Sequence, residues 1–373
     1  MIYFDNAATT LLKPAEVFRA VQNAMRTAGG YGRSGHPPAL RAGELVYQCR
    51  EQAAALFGLE EPERVIFTQN ATHALNLAIH ALVKPGAAVA VTGYEHNSVM
   101  RPLAARGCRI HIMQAPLFDQ EEALRAAERA LTAGAEIFVV NHVSNVFGFV
   151  QPLERIDALL TQAGIPMILD ASQSAGVLPI QCGALRSLAA VCCPGHKALY
   201  GPQGTGILLA LSDRLRDPLM TGGTGSLSEQ IEQPAMLPDR FESGTLNAHG
   251  IAGLCAGIRW VRARGTRQIL THERRLVARL CKGLRAMPRV EAFSGVGQSG
   301  VLSFRVRGLA CEEVAERLAC RGVCVRDGLH CAPCAHRSAG TFETGTVRVS
   351  VGAFNSEPEC VRFLELLEDA LRR

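Results

Sequence analysis

The fold is decided by residues 189–197, which read Ala-Ala-Val-Cys-Cys-Pro-Gly-His-Lys. The first five residues are apolar without alternation, which is typical of a strand that is covered on both faces of its sheet. His196 and Lys197 follow at once, and residues 200–204, Tyr-Gly-Pro-Gln-Gly, are a turn signal. The stretch therefore predicts a buried strand that carries a lysine into a pocket at the end of a sheet.

Similar short apolar runs alternate with helical patterns over residues 60–210. They predict strands at residues 64–68, 88–92, 109–112, 136–141, 166–170, 189–193 and 205–209. Strands that alternate with helices in this way predict an α/β fold, with a mainly parallel seven-stranded sheet and helices on both sides. A helix over residues 72–82 is predicted to begin at Thr72, directly after the first of these strands.

The rest of the chain has a different pattern. A long helical pattern covers residues 250–285, and apolar runs at residues 300–304 and 346–350 predict strands of a smaller α+β unit. We therefore expect two domains. The large domain covers residues 16–255, and the small domain consists of residues 1–15 and 256–373.

Composition excludes several classes of protein. The 373 residues are 48% hydrophobic, and the net charge of +5 comes from scattered arginines, so binding to nucleic acid is not indicated. Apolar runs fall short of the roughly 18 to 20 residues of a membrane span, and residues 1–5 do not resemble a signal peptide. Thirteen dispersed cysteines are a poor match to a secreted disulfide framework. We expect a soluble, cytoplasmic protein without membrane contact.

Lys197 and Asp170 point to a cofactor. A desolvated lysine has a lowered pKa and can form a Schiff base through its neutral amine. Asp170 ends an apolar run, with Gln173 three residues later. A carboxylate there can keep a pyridinium nitrogen protonated, as pyridoxal phosphate requires. The alternatives are a surface lysine before a turn and an aspartate that only caps the next segment.

Further motifs lie in order along nearly the whole chain. They occupy residues 5–10, 68–72, 95–98, 141–145, 240–247, 326–333 and 352–355. With Lys197 and Asp170 they resemble the class V aminotransferase family of pyridoxal-phosphate enzymes, in particular its cysteine desulfurase and selenocysteine lyase branch. The resemblance implies the fold type I architecture of pyridoxal-phosphate-dependent transferases, pyridoxal 5'-phosphate as the cofactor and a homodimer.

The resemblance assigns roles around the cofactor ring. Lys197 would be the Schiff-base lysine, Asp170 would pair with the ring nitrogen, and Gln173 would bond the ring hydroxyl. His96, whose position alone would suit a structural histidine, matches the residue that stacks on the ring and later handles protons. Asn145 matches a residue near the cofactor hydroxyl and the substrate.

The phosphate is expected at the start of the helix that contains Thr72. Helix N-termini after strands bind anions, so the Thr72 hydroxyl and the backbone amides of Ala71 and Thr72 are candidate donors. Thr72 could equally be only a helix cap. The resemblance adds His196 as a phosphate contact and Thr245 as a contact to the partner subunit's phosphate. Pro194 departs from the family, where Ser or Thr supplies a phosphate hydroxyl.

A substrate carboxylate calls for arginine, whose planar guanidinium binds it with two hydrogen bonds. Arg348 lies within an apolar strand pattern, where an arginine is costly unless it is paired. Arg326 resembles a second, helping arginine of the family. His36 is a weaker match and could be an ordinary loop residue.

Cys331 distinguishes the possible reactions. It matches the loop cysteine that takes sulfur from the substrate as a persulfide while alanine is released, and His330 or His336 could lower its pKa or shuttle its proton. Cys334 is not part of the usual family pattern. It could be an incidental small residue, a persulfide acceptor or disulfide partner, or a zinc ligand with the two histidines.

We therefore expect a cysteine desulfurase that acts on L-cysteine, with a sulfur-acceptor protein as a further partner and without a metal. A selenocysteine lyase acting on L-selenocysteine is the main alternative, because the two substrates differ in one atom. A class V transaminase would not need Cys331. A non-catalytic scaffold is disfavoured, because Lys197, Asp170, His96 and Arg348 are all retained.

Overall fold

The computed structural model describes residues 1–32 and 34–372, so residue 373, the end of the expected small domain, lies outside it. The first elements are β1 (Ile2–Tyr3), α1 (Ala15–Thr27) and α2 (Pro37–Phe57). The strands that follow are β2 (Val65–Thr68), β3 (Ala88–Thr92), β4 (Arg109–Met113), β5 (Ile137–Asn141), β6 (Met167–Asp170), β7 (Leu188–Pro194) and β8 (Gly206–Ala210). The helices between them are α3 (Ala71–Leu82), α4 (Asn97–Ala105), α5 (Gln120–Thr132) and α6 (Leu153–Ala163), with short 3-10 turns at Pro62–Arg64 and Cys182–Ala184.

These seven strands form one sheet in the order β2-β8-β7-β6-β5-β3-β4. All neighbours are parallel except β8, which is antiparallel to both β2 and β7. The predicted mainly parallel, seven-stranded sheet is confirmed, and each predicted strand end agrees to within one residue. Every strand except β4 is buried throughout, because helices cover both faces of the sheet.

The parallel strands β3, β5, β6 and β7 end at the same edge of the sheet. Their last residues bring together Thr92, Asn141, Asp170 and Pro194. The reversed strand β8 fits because Gly206 has no side chain: a Cβ there would lie 2.6 Å from the Asn70 carbonyl carbon. The close approach keeps the start of α3 against the same edge, which is where open α/β sheets bind ligands.

Helix α7 (Ala248–Arg264) packs on α1 and α2 in a core of the large sheet. The elements after it lead into a smaller unit, and they are α8 (Thr266–Arg285), β9 (Val290–Phe293), β10 (Val301–Val306), α9 (Cys311–Ala319), β11 (Val323–Cys324), α10 (Pro333–Ser338), β12 (Val347–Ser350) and α11 (Glu357–Leu371). The expectation of a single helix over residues 250–285 is wrong. Gly265 ends α7 with a left-handed φ of 84°, which glycine adopts easily, and α8 starts anew.

The amino-terminal segment packs with this smaller unit. Strand β1 pairs in parallel with β11, and Phe4 is fully buried in a core that includes Phe304 and Phe363. Two other cores lie on the two faces of the seven-stranded sheet. In residues 1–32 and 34–372, no helix is long and apolar enough to span a membrane.

A buried ion pair ties α2 to the loop before α7, so its loss should destabilise the protein. Arg50 Nη2 lies 2.5 Å from Glu242 Oε2, and both side chains are nearly inaccessible. Glu242 also accepts the Phe67 N–H at 2.6 Å. Glu242→Ala would leave a buried guanidinium without its counter-charge. We expect the free energy of unfolding to fall by about 3 to 5 kcal/mol in denaturant titrations.

The matched control is Glu16→Ala, which removes a surface pair with Arg19 whose side chains are 59% and 72% exposed. Surface pairs of this kind contribute about 1 kcal/mol or less. If the free energy of unfolding fell equally in the two variants, the buried pair would have no special role in stability.

Candidate active site

A cleft lies at the carboxyl edge of the parallel strands. Eight of the predicted site residues line it together with five neighbours. The lining residues are Asn70, Ala71, Thr72, His96, Ser98, Asn141, Asn145, Asp170, Ser172, Gln173, Pro194, His196 and Lys197. Tertiary structure thus brings together residues that are spread over about a third of the chain.

Lys197 is held by a tight turn after β7. Gly195 donates its N–H to Thr205 O at 2.8 Å, and Tyr200 closes the turn with a left-handed φ of 56°. Thr10 Oγ1 donates to Lys197 O at 3.2 Å. Burial lowers the pKa of Lys197 to about 8, an effect that Asp170 opposes. A substantial fraction of the amine is therefore neutral and nucleophilic near that pH.

Asp170 forms the floor of the cleft. Its side chain is nearly inaccessible, and Oδ1 accepts the Ser172 N–H at 2.9 Å. Gln173 lies on the adjoining wall, where Nε2 donates to Ala7 O at 3.0 Å. Since one of its two N–H donors is engaged with the amino-terminal segment, Gln173 can offer the amide oxygen and the second N–H to a ligand.

His96 caps the N-terminus of α4. Its Nδ1 accepts the Ser98 N–H at 3.1 Å and lies 2.8 Å from Ser98 Oγ. An acceptor nitrogen carries a lone pair, so the ring proton of neutral His96 is assigned to Nε2. Burial lowers the pKa of His96 to about 4, which keeps the imidazole neutral near pH 7. The site thus contains a neutral ring with a single N–H donor.

The N-terminus of α3 forms the anion-binding side of the cleft. Asn70, not Thr72, caps this helix: its side chain accepts the His73 N–H at 2.9 Å. The expectation that the helix begins at Thr72 is therefore wrong, because the asparagine oxygen satisfies the orphan amide first. Ala71 and Thr72 lie in the first turn, whose amides lack intrahelical acceptors. His196 lies nearby, with Nδ1 3.1 Å from Thr9 Oγ1.

The loop that carries Cys331 docks beside His96. Asn97 N–H donates to Cys331 O at 2.8 Å, and Asn145 Nδ2 donates to His330 O at 2.9 Å. His330 and Cys331 have left-handed φ values of 51° and 56°, which non-glycine residues rarely adopt. The Cys331 thiol is exposed, and Arg326 Nη2 lies 3.6 Å from its sulfur. The docked loop thus places the exposed Cys331 thiol next to the Arg326 guanidinium.

His330 and His336 have a different role from the one expected. Both are buried, and their rings stack at 5.6 Å between centroids. His330 Nε2 donates to Arg326 O at 3.2 Å, which leaves Nδ1 to accept from His336 Nε2 at 3.4 Å. Burial lowers the pKa of both rings. With these lowered pKa values the pair is neutral near pH 7, and its ring nitrogens are bonded within residues 326–341, so it supports the loop instead of lowering the pKa of Cys331 or shuttling its proton.

Arg348 is fully buried and already has partners. Nη2 donates to Asp5 Oδ1 at 2.6 Å, and Nη1 donates to Asn145 O at 3.0 Å. Its Nε is buried without a partner in the described part of the chain. Arg326 lies alongside, because the two backbones bond at 2.7 and 3.3 Å. Asp5, the counter-charge of Arg348, is part of the motif at residues 5–10, but no local pattern there predicts a pair with Arg348.

His36 and Thr245 are exposed, and neither is among the described residues that line this cleft. His36 caps α2: its Nδ1 accepts the Ala39 N–H at 3.3 Å. A structural role as a cap therefore explains His36 within a single chain. Thr245 lies on a surface loop, just before the cap residue of α7, Asn247.

Glu95 is a further buried residue at this edge, for which no role was expected. Its carboxyl is fully buried, and Oε1 accepts from Thr92 Oγ1 at 2.8 Å and from Asn141 N–H at 2.8 Å. Burial and nearby Asp170 raise the pKa of Glu95 to about 8. The group ties the ends of β3 and β5 together and is largely neutral near pH 7. In the sequence, the signal that could have identified Glu95 is its position directly before His96.

The described residues contain no group of three or more His, Cys, Asp or Glu side chains that could hold a metal ion. Cys334 is buried in the first turn of α10, and like Cys331 it is a free thiol. The structure therefore offers no arrangement of ligands for the zinc alternative.

Known proteins share this architecture. The family model for Aminotransferase class-V matches residues 2–363. A probable cysteine desulfurase from Methanothermobacter thermautotrophicus is 32% identical over 382 residues, which cover 99% of this chain and 94% of the relative. The apo structure of a cysteine desulfurase from Thermococcus onnurineus NA1 has a TM-score of 0.89 and 30% sequence identity to this protein. The match covers 100% of this chain and 94% of the Thermococcus chain.

A crystal structure of the cysteine desulfurase CsdA from Escherichia coli has a TM-score of 0.86 and 26% identity, with coverage of 99% of this chain and 94% of its own. Sequence and fold thus agree over essentially the full length of the chain. The protein belongs to the class V aminotransferase family of enzymes.

Proposed function

We propose that this enzyme is a pyridoxal-phosphate-dependent cysteine desulfurase, which takes sulfur from L-cysteine onto Cys331 and releases alanine. The observation that carries the proposal is the docking of the Cys331 loop at the cleft of Lys197 and Asp170, through the Asn97–Cys331 backbone bond of 2.8 Å. A transaminase would need the lysine and the aspartate but no exposed thiol at this point. Relatives named cysteine desulfurases support the same activity.

The residues of the cleft fit pyridoxal phosphate. Asp170 is a buried carboxylate suited to a protonated ring nitrogen, and the first turn of α3 is suited to the phosphate. Asn145 Oδ1 is a buried acceptor that has no partner among the residues described, so it can accept from a ligand. Lys197 would hold the cofactor covalently. When bound, the cofactor supplies an electron sink for bonds at the substrate α-carbon.

Substrate binding would use Arg348, with Arg326 as a second cation. Arg348 is bonded to Asp5, so a carboxylate would have to share the guanidinium or displace that contact. Arginine is suited to such sharing because its five N–H donors lie in one plane. His36 remains a proposed substrate residue only if a second chain brings it to the cleft, because within one chain it is an exposed cap.

Proton movement and sulfur transfer would fall to His96 and Cys331. Neutral His96 offers Nε2–H as a donor, and it can take up a proton at Nε2 in the other tautomer, in which Nδ1–H donates to Ser98 Oγ at 2.8 Å. Cys331 would bond to the substrate sulfur while the bond from that sulfur to the β-carbon breaks. Arg326 Nη2, 3.6 Å from the thiol, is the cation next to the reacting atom. The exposed persulfide would then be accessible to an acceptor protein.

The assembly and location are part of the same proposal. Thr245 is exposed and free to contact a second copy, so we propose a homodimer in which it completes the partner's phosphate site. The packing of β1 against β11 supports a small domain of residues 1–15 and 256–373 beside a large domain of residues 16–255. The thirteen cysteines, all free thiols in the described chain, support the cytoplasm as the compartment.

Lys197 should carry the cofactor. We expect the loaded protein to absorb visible light, and borohydride reduction to leave the cofactor's mass on the peptide with Lys197. Lys197→Ala should lose both signals. Lys13→Ala is the control, because burial lowers the pKa of Lys13 to about 8 as well, yet Lys13 is not among the described residues that line the cleft and its ammonium donates to Thr10 Oγ1 and His196 O. Label on Lys13 in the wild type would contradict the assignment.

Cys331→Ala should lower alanine release from L-cysteine by at least about a hundredfold, because the thiol is the sulfur acceptor. The absorption of the loaded protein should not change. L-Selenocysteine should be affected less, since the weaker C–Se bond can break without thiol attack. Cys320→Ala, at another exposed cysteine, is the matched control. Wild-type cysteine turnover by Cys331→Ala would make transamination the better assignment.

A shared site predicts complementation between inactive chains. Lys197→Ala and Thr245→Ala homodimers should each be weak, whereas a mixed dimer has one site with both residues intact. Random mixing makes half of the dimers mixed, so about a quarter of wild-type activity should return. If Thr245 contacts the phosphate site of its own chain, mixing should restore no activity. Wild-type activity in a demonstrated monomer would also refute the shared site.

A further inference from the structure

Cys334 is a second thiol on the same turn as Cys331, and the proposed desulfurase reaction does not use it. Cys331 is exposed and precedes α10, whereas Cys334 is 7% exposed within the first turn of that helix. Redox proteins use this Cys-x-x-Cys spacing for reversible disulfides. Here one thiol is exposed and the other is buried.

The turn is fixed to the large sheet at both ends. Cys331 O accepts the Asn97 N–H at 2.8 Å, and Ser338 Oγ donates to Gly93 O at 2.6 Å. Ala332 N–H donates to Leu329 O at 2.9 Å and closes the turn between them. These bonds restrain the loop and α10 together, so both cysteines belong to one anchored segment.

Burial sets the reactivity of Cys334. It raises the pKa of the thiol, Glu95 raises it further, and Arg337 lowers it. Glu95 comes from the β3–α4 connection and Arg337 from α10 itself. Near pH 7 the thiol form dominates, so attack by Cys334 is slower than the first transfer of sulfur to Cys331.

We propose that Cys334 resolves the Cys331 persulfide, forming an internal disulfide and releasing hydrogen sulfide. The proposal rests on the desulfurase function, which supplies the persulfide. The Cys334 sulfur loses its proton and bonds to Cys331 Sγ, and the bond from Sγ to the outer sulfur breaks. The outer sulfur leaves with the bonding electrons and takes up protons. The Cys334 sulfur is oxidised by one electron and the outer sulfur is reduced by one, while Cys331 Sγ keeps its oxidation state because it exchanges one S–S bond for another.

A dithiol reductant must then return Cys331 and Cys334 to thiols before the next turnover. The pair therefore makes sulfide release depend on reductant and stops the enzyme when reductant is exhausted. Without Cys334, the same loop would hold a persulfide until an acceptor removed it.

The test follows alanine, sulfide and the tryptic peptide of residues 327–337, which contains Cys331 and Cys334 as its only cysteines. The cofactor-loaded, reduced protein receives L-cysteine anaerobically without added reductant. For the wild type we expect about one alanine and one sulfide per chain and a peptide lighter by two hydrogens, and dithiothreitol should restart turnover.

Cys334→Ser should release the same first alanine, keep the extra sulfur on Cys331 and release about tenfold less sulfide. Cys334→Ala serves as a second variant, because serine puts a hydroxyl into a buried position. Cys320→Ser should behave as the wild type. Extra sulfur that remains on Cys331 of the wild type, or that moves to Cys334, would overturn the proposal.

A second arm separates this proposal from the desulfurase function. Inorganic polysulfide can load sulfur onto Cys331 of the cofactor-loaded protein without L-cysteine. The wild type should again release sulfide and form the disulfide, while Cys334→Ser retains the added sulfur. Disulfide formation here without alanine from L-cysteine would refute the desulfurase function alone. Alanine release with a stable wild-type persulfide in both arms would refute the role of Cys334 alone.

Discussion

The register of the parallel strands is the constraint on which the site depends. Asn141 of β5 lies level with Asp170 of β6, which in turn lies level with Cys192 of β7. A slip of one residue would turn Asp170 toward the opposite face of the sheet and into an apolar core. Because the strands are buried on both faces, such a slip would move the carboxylate among apolar side chains that offer it no hydrogen bond. The same packing that stabilises the sheet therefore fixes the carboxylate at the floor of the cleft.

Burial at this edge determines the charge state of each group. Water is largely excluded, so lysine and histidine side chains there favour their neutral forms. Burial lowers the pKa of Lys197 and of His96, and it raises that of Glu95. With Glu95 largely neutral, a second negative charge is not forced against Asp170. The arrangement provides an amine with a lowered pKa, a neutral imidazole and a buried aspartate within one cleft.

The amino-terminal segment connects the two parts of the protein at the site. Asp5 binds Arg348 of β12, and Ala7 N–H donates to Ser350 Oγ at 2.9 Å. A few residues later, Thr10 N–H donates to His196 O at 3.2 Å in the turn that holds Lys197. One short segment thus sets the position of the arginine of the smaller unit relative to the lysine of the large sheet. The contacts of Asp5 with Arg348 and of Ala7 with Ser350 join residues that are more than three hundred positions apart in the sequence.

The sequence by itself determined the strands of the large sheet and the family. It also identified Lys197, Asp170 and His96 as candidate site residues. These features depend on local apolar runs and on motifs with fixed spacing, which are readable without coordinates. Local patterns did not reveal that β8 runs antiparallel, that Gly265 divides the long helical pattern, or that Asn70 rather than Thr72 caps α3. Each of these is a choice among conformations that the same local composition permits.

Only the tertiary structure decided the partners of the buried charges. Asp5 as the counter-charge of Arg348, Glu95 as the tie between β3 and β5, and the neutral stacked pair His330 and His336 all depend on contacts across the fold. The physical reason is that burial and partner distance, rather than residue type, fix whether a buried group is charged and what it can bind.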